Sequence, residues 1–139
     1  MEQSKLVVIP PHLVHQYWHF AEPHLKKAID KGEGEFDLAT LEYACSRGEQ
    51  TLLLVMNNGE CHCALTVIRY NFPKFQSMYI TYIGGNNTKE GWEQFKQWVK
   101  GEGCDRITGS AVTESIVKLW QKYYGFKPKY TFVELKLED

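Results

Sequence analysis

The hydrophobic period of the chain changes near residue 51, and each side of that change predicts different elements. On the N-terminal side Val14, Tyr17, Trp18 and Ala21 recur at helical spacing, and Leu25, Ala28 and Ile29 continue the stripe. A helix is predicted there. Pro23 falls inside the stripe and is expected to kink or split it, because the prolyl ring removes one helical hydrogen bond. A short β-like run over 5–9 precedes the helix, followed by Pro10-Pro11, which suits a helix entry. Gly32 and Gly34 end the segment, and Asp37 is placed to cap a second helix over 38–46, closed by Gly48.

From residue 51 onward Leu52, Leu53, Leu54 and Val55 lead into Asn58-Gly59, a strong hairpin signal, and a strand over 61–70 returns from it. After the Asn71-Phe72-Pro73 turn, β-branched and aromatic residues mark a third strand over 77–83. Simple alternation puts Tyr79 and Thr81 on one face of that strand and Tyr82 on the other. Gly84-Gly85 stops it. Asn87 is then expected to cap a helix, with Glu90 three residues on and a buried stripe of Trp92, Phe95, Trp98 and Val99 ending at Gly101. A strand over 106–112 follows, then a helix capped by Thr113 that carries Ile116, Val117, Trp120, Tyr123 and Tyr124 and ends at Gly125. A last strand is expected over 130–137.

The order β-α-α-β-β-β-α-β-α-β predicts one mixed α/β domain, α+β-like, over residues 1–139. A central twisted mixed sheet would hold an antiparallel meander followed by a β-α-β-α-β half, whose β-α-β strands run parallel. The Trp92/Phe95/Trp98 and Ile116/Trp120 stripes are expected to be buried on that sheet.

Composition narrows the chemistry. With 139 residues and 43% hydrophobic content the chain can fill one core, and 16 Lys+Arg against 17 Asp+Glu leave no globally basic surface for nucleic acid. No apolar run approaches a membrane span, and the opening residues carry no signal-peptide pattern, so a cytoplasmic protein with free Cys45, Cys61, Cys63 and Cys104 is expected. Asn86-Asn87-Thr88 matches a glycosylation acceptor but lacks the secretory context that would use it. Cys61-His62-Cys63 would place both sulfurs on one strand face and the imidazole on the other, which reads as strand packing. His12, His15 and His19 share one helix face, opposite the apolar stripe, and read as solvent-facing. No metal site is expected.

Residues 113–126, Thr-Glu-Ser-Ile-Val-Lys-Leu-Trp-Gln-Lys-Tyr-Tyr-Gly-Phe, resemble the N-x-x-A-x-x-L-Y-x-x-x-G-F segment of the GNAT superfamily of acyl-CoA-dependent N-acyltransferases. The order of elements follows that superfamily over essentially the whole chain. Thr113 stands for Asn, Ile116 for Ala and Trp120 for Tyr, with one extra residue before Gly125. Trp18, 23–28, Gly48, 64–73, Gly84-Gly85, Trp92, Gly103-Cys104 and Gly125-Phe126 are similar, more narrowly, to small GNAT-like proteins of tailed phages and prophages.

The resemblance implies a GNAT-like acyltransferase that uses acetyl-CoA to acetylate an amine on a small molecule or protein, in the host cytoplasm if phage-encoded. It implies cofactor contacts at Ile83, Gly84, Gly85, Asn86, Asn87, Thr88, Thr113 and Trp120. Where relatives carry Q/R-x-x-G-x-G/A, this chain has two glycines and a helix start, enough for backbone N–H groups to face a pyrophosphate, with Lys89 near by. Relatives donate a proton to the departing thiolate from the tyrosine that Trp120 replaces, and an indole has no usable acidity. Tyr123 and Tyr124, one turn on, are the catalytic candidates. No carboxylate occurs between Ser77 and Gly85, which leaves water, His62 or Glu42 to act as base. These departures keep an alternative open: a GNAT-fold phage protein without catalysis, acting in virion assembly or host-protein binding. The sequence names neither amine, partner nor oligomeric state.

Overall fold

The structure is a computed structural model of the chain and describes residues 3–111 and 114–137. In chain order it contains β1 (Lys5–Ile9), α1 (Val14–Asp30), α2 (Leu38–Ser46), β2 (Thr51–Asn57), β3 (Glu60–Asn71), β4 (Gln76–Gly85), α3 (Lys89–Gly101), β5 (Arg106–Gly109) and α4 (Glu114–Tyr124), with a 3-10 turn at Pro11–Leu13. The strands form one sheet in the order β1-β2-β3-β4-β5. The first four are antiparallel to their neighbours, and β5 lies parallel to β4 across the α3 crossover. This is the mixed α/β architecture expected from the pattern.

The β2–β3 hairpin turns at Asn58-Gly59, both with positive φ (55° and 75°), which gives the turn the twist that a two-residue hairpin requires. Alternation then distributes apolar residues to two layers. Leu52, Leu54 and Ala64 face α1 and α2, where Val14, Trp18, Leu25 and Leu41 complete one cluster. Leu53, Leu65, Val67, Met78 and Ile80 face α3, where Trp92, Phe95 and Val99 complete the other. Gln94 of α3 ties that helix to the edge strand, its amide donating to Ser4 O and accepting from Leu6 N–H, both at 2.8 Å.

Several local expectations are corrected. α1 runs unbroken through Pro23. The proline and His19, whose carbonyl loses its partner, both lie on the exposed face, where water can take the lost bond. Thr88, not Asn87, caps α3, its hydroxyl accepting from Gly91 N–H at 3.0 Å, while Asn87 Oδ1 accepts from Thr88 N–H at 2.8 Å. The α4 stripe is only half-buried: no residue of α4 is fully enclosed. β5 ends at Gly109, three residues before the expected boundary at Val112, which lies outside the described residues. Residues 130–137 form no strand. Their apolar side chains stand in solvent.

Two β-bulges overturn arguments from simple alternation. One, between Val55 and Met56, sets Cys63 opposite Val55 and Cys61 opposite Met56, with His62 as the extra residue. Cys61 and Met56 pack with the α1–α2 cluster, while Val55 approaches Gly91 of α3. The two sulfurs therefore diverge instead of sharing a face. The other bulge sets Thr66 opposite Tyr82 and Val67 opposite Ile80, leaving Thr81 as the extra residue of β4. Thr81 meets Thr66 side chain to side chain, so Thr81 and Tyr82 both turn to the α1–α2 side.

Candidate functional site

The site begins where the sheet comes apart. β5 pairs with β4 only from Ser77 to Ile80, whereas β4 runs on to Gly85. Past Ile80, one edge of β4 has no strand partner among the described residues, and its backbone opens onto the gap between the two parallel strands. Gaps of this kind, at the carboxyl ends of splayed parallel strands, are where open α/β sheets bind ligands. The bulge at Thr81 marks the point of divergence and is held firmly: the Thr81 hydroxyl lies 2.6 Å from Gln50 Oε1, 2.6 Å from Thr66 Oγ1 and 2.9 Å from Thr66 O. Gln50 and Thr66 are buried, so this small polar network is anchored inside the protein.

On the α3 side, the gap is walled by a recess lined by Ile80, Ile83, Asn87, Trp92, Trp120, Tyr124 and Phe126. Its free volume is about 20 Å³, room for about one water. Aromatic rings fill the rest: Tyr124 packs on Trp92 at 4.8 Å between centroids, and Phe126 on Trp120 at 5.3 Å. Gly109 is glycine for a steric reason, since a Cβ there would stand 3.2 Å from the Trp120 ring. Of the residues singled out in the sequence, Ile83, Asn87, Trp120 and Tyr124 are thus brought together. Tyr123 is not among them; it is 65% exposed, with Lys122 Nζ over its ring. Thr113 lies outside the described residues.

Gly84, Gly85 and Asn86 turn elsewhere. A Cβ on Gly84 would fall 2.0 Å from the backbone oxygen of His24, so this glycine lets α1 cross β4 at close range. Gly85 has φ +91° and would place a Cβ 2.3 Å from His62 O. His24 is fixed above this point by a 2.7 Å hydrogen bond between its Nε2 and Cys61 O. Asn86 N–H donates to His62 O at 2.8 Å. With Thr88 N–H and Gly91 N–H taken up by side chains, the amides left without a protein partner in this loop, among the described residues, are those of Asn87, Lys89 and Glu90.

On the α1–α2 side of the sheet, close to β4 beyond Ile80, lies a carboxylate that sequence reasoning missed. Glu35, exposed in the loop between α1 and α2, lies near enough to Tyr82 to help burial raise that phenol's pKa. Tyr82 is also packed edge-on against Phe36, with centroids 6.3 Å apart. Only the fold brings this loop to β4; the nearest sequence signal is the glycine-rich stretch before Asp37. Glu42, by contrast, is engaged 2.7 Å from His15 Nδ1 on the outer helices. Burial pushes the thiols of Cys45 and Cys63 up to about 12, and Cys61 is raised as well, so these are inert packing thiols. Among the described residues there is no cluster of three or more His, Cys, Asp or Glu placed to hold a metal ion, and no helix is long and apolar enough to cross a membrane.

No protein-family model matches the sequence, and no curated protein does. Solved structures do. The chain resembles a ribosomal-protein-alanine N-acetyltransferase from Brucella melitensis biovar Abortus 2308, with a TM-score of 0.70 at 10% identity, covering 98% of this chain and 100% of that one. It resembles an aminoglycoside N-acetyltransferase in complex with CoA, with a TM-score of 0.66 at 8% identity, covering 100% of this chain and 97% of that one. A predicted acetyltransferase with acetyl-CoA from Clostridium acetobutylicum gives 0.61 at 14% identity, covering 96% of each chain. At such identities the likeness establishes the fold: this chain has the GNAT fold along nearly its whole length.

Proposed function

We propose that the protein is an acetyl-CoA-dependent N-acetyltransferase whose acyl donor lies along the unpaired edge of β4. The observation that carries this reading is the departure of β4 from β5 after Ile80, at an anchored bulge and beside the start of α3. An extended ligand bearing amide groups fits a strand edge with open backbone partners, and a phosphate fits the unpartnered amides of Asn87, Lys89 and Glu90, with the Lys89 side chain adding positive charge. Gly84 and Gly85 would contribute backbone only, since their missing side chains make room for α1 and β3. When bound, acetyl-CoA supplies an activated acetyl group as a thioester. The acceptor nitrogen bonds to the carbonyl carbon, the carbon–sulfur bond breaks, the ammonium proton leaves to a base and the thiolate takes up a proton.

Within this reading Tyr124, on the recess, donates that proton; Tyr123, facing solvent, has no part in it. Glu35, by way of water, takes the acceptor's proton on the other side of β4. Neighbours that act on ribosomal-protein alanine and on aminoglycosides make amines of both kinds, peptide N-termini and amino sugars, suitable acceptors to try. Kinship with the small phage proteins rests on the sequence segments alone and belongs to the same proposal.

Calorimetric titration with acetyl-CoA, followed by thiol release over a panel of such amines, tests the assignment. Binding and turnover are expected. Tyr124→Phe should slow turnover by ~10²–10⁴-fold, the usual worth of general acid–base help, and Tyr123→Phe should leave it unchanged. Neither heat nor thiol release from the folded protein would overturn it. That result would favour a binding protein on this fold without catalysis, a reading supported by the three loop amides already spent inside the molecule and by the near-closed recess.

A further inference from the structure

Residues 130–137 pose a problem that the monomer leaves unsolved. Tyr130, Phe132, Val133, Leu135 and Leu137 are between 82% and 93% exposed. Their pattern is that of a strand, with Val133, Leu135 and Leu137 on one face and Tyr130, Phe132, Glu134 and Lys136 on the other. Soluble monomers rarely leave a continuous apolar stretch of this kind in water. The same chain carries a matching vacancy. Among the described residues nothing pairs with the outer side of β5, and beside it α4 holds Ile116, Val117 and Trp120 half-covered and Leu119 52% exposed.

The path of the chain decides whose vacancy is filled. Phe126 packs at a tilt against Trp120, whose ring covers Gly109, the last residue of β5. Only three residues later, Lys129 Nζ sits 4.8 Å from the Phe75 ring, on which Arg106, the first residue of β5, also stacks at 3.7 Å. Between Phe126 and Lys129 the contacts of the chain thus pass from the Gly109 end of β5 to its Arg106 end. The apolar segment sets out from the Arg106 end of β5, and to lie along its own β5 it would have to turn back on itself.

We propose that residues 130–137 are an exchanged strand: in solution two copies of this chain associate, each laying this segment along β5 of the other. Val133, Leu135 and Leu137 then enter beneath the partner's α4, and the mixed face of Tyr130, Phe132, Glu134 and Lys136 stays on the half-open side. The exchange caps the sheet edge, covers the apolar stripe of α4 and stiffens the β5 wall of the gap. It needs no acetyl-CoA chemistry and stands apart from the acetyltransferase reading.

Sedimentation equilibrium of the full chain at tens of micromolar, with amide hydrogen exchange, tests it. A dimer is expected, with slowed exchange at both 106–109 and 130–137. The double substitution Val133→Asp, Leu135→Asp lies outside the core; it should raise the dimer dissociation constant by about a hundredfold or more and release protection at both segments together. Helix and sheet content should be unchanged. Should that variant misfold, Leu135→Asn alone supplies the same comparison. A chain that is monomeric at these concentrations would overturn the proposal, as would a dimer indifferent to the substitutions or one with unprotected β5 amides. Protection of 130–137 that survives dilution to the monomer would overturn it too, by showing the segment folded onto its own sheet.

Discussion

The face of the sheet under α1 and α2 and the end of the sheet at β5 and α4 are built from similar residues to different standards of closure. Under the first two helices Val14, Leu25, Leu41, Leu52 and Ala64 are wholly enclosed. At the other end α4 encloses nothing fully, Trp120 is half-covered and the following segment is bare. The difference is one of neighbours. A helix lying across three or four paired strands loses water on its whole apolar face, whereas a helix beside a four-residue edge strand has half a surface to lie on. Both features of functional interest, the β4–β5 gap and the proposed exchange edge, fall at the less finished end, where backbone and apolar surface remain available.

The largest test of this contrast is Gly84→Val. With α1 backbone 2.0 Å from the position of the new Cβ, α1 must lift from β4, and a loss of more than about 4 kcal/mol, or failure to fold, is expected in chemical denaturation. A mild effect would mean that α1 is not seated as described. Next comes the paired comparison of Leu54→Ala with Trp120→Ala. The first should cost about 2–5 kcal/mol, the ordinary price of a cavity in a closed core. The second should cost only about 1–2 kcal/mol in spite of the larger side chain, because less of it is removed from water. Equal losses would break the contrast.

Thr81→Val probes the hinge between the two regions. It leaves Gln50 Oε1 and the Thr66 hydroxyl facing a methyl group in a buried setting, and about 1–3 kcal/mol should be lost, with faster amide exchange in β4 beyond Ile80. The smallest effect concerns pH. Asp37 caps α2 through Thr40 N–H, and this hydrogen bond holds its carboxyl below the ordinary range. A depressed folded pKa means that the stabilisation is present above the unfolded value of ~3.9 and is lost as pH falls through the lower folded value. The melting temperatures of the parent and Asp37→Ala proteins should therefore differ at neutral pH and converge as the pH falls through and below the depressed folded value. A gap that stays constant would show that the charge has no part in the cap.

Much of this was legible in the residues. The stripe from Val14 to Ile29, the Asn58-Gly59 turn, the aromatic stripe of α3 and the parallel β4-α3-β5 unit follow from local period, turn chemistry and the handedness of crossovers. At the site, Ile83 and Asn87 could be named from the Gly84-Gly85 loop and Trp120 and Tyr124 from the 113–126 segment, and all four line one recess because those two stretches flank the same end of the sheet. Others could not be. Tyr123 and Tyr124 differ by 100° around a helix axis, so which of them meets the recess depends on how α4 is rolled against β4. Glu35 reaches Tyr82 only because α1 and α2 fold back over the sheet.

What the sequence determined by itself is the set of elements and the faces they bury, since both are written in period and punctuation within a dozen residues. The tertiary structure decided everything that depends on two distant segments meeting. It showed that Gly84 is small because a helix backbone passes over it, and that one extra residue at His62 and another at Thr81 reverse the faces on which side chains lie. It also showed that the final apolar run, for all its strand pattern, finds no place on its own sheet: a strand is a strand only with a partner, and the hydrogen bonds that make it one belong to a neighbour that local pattern cannot see.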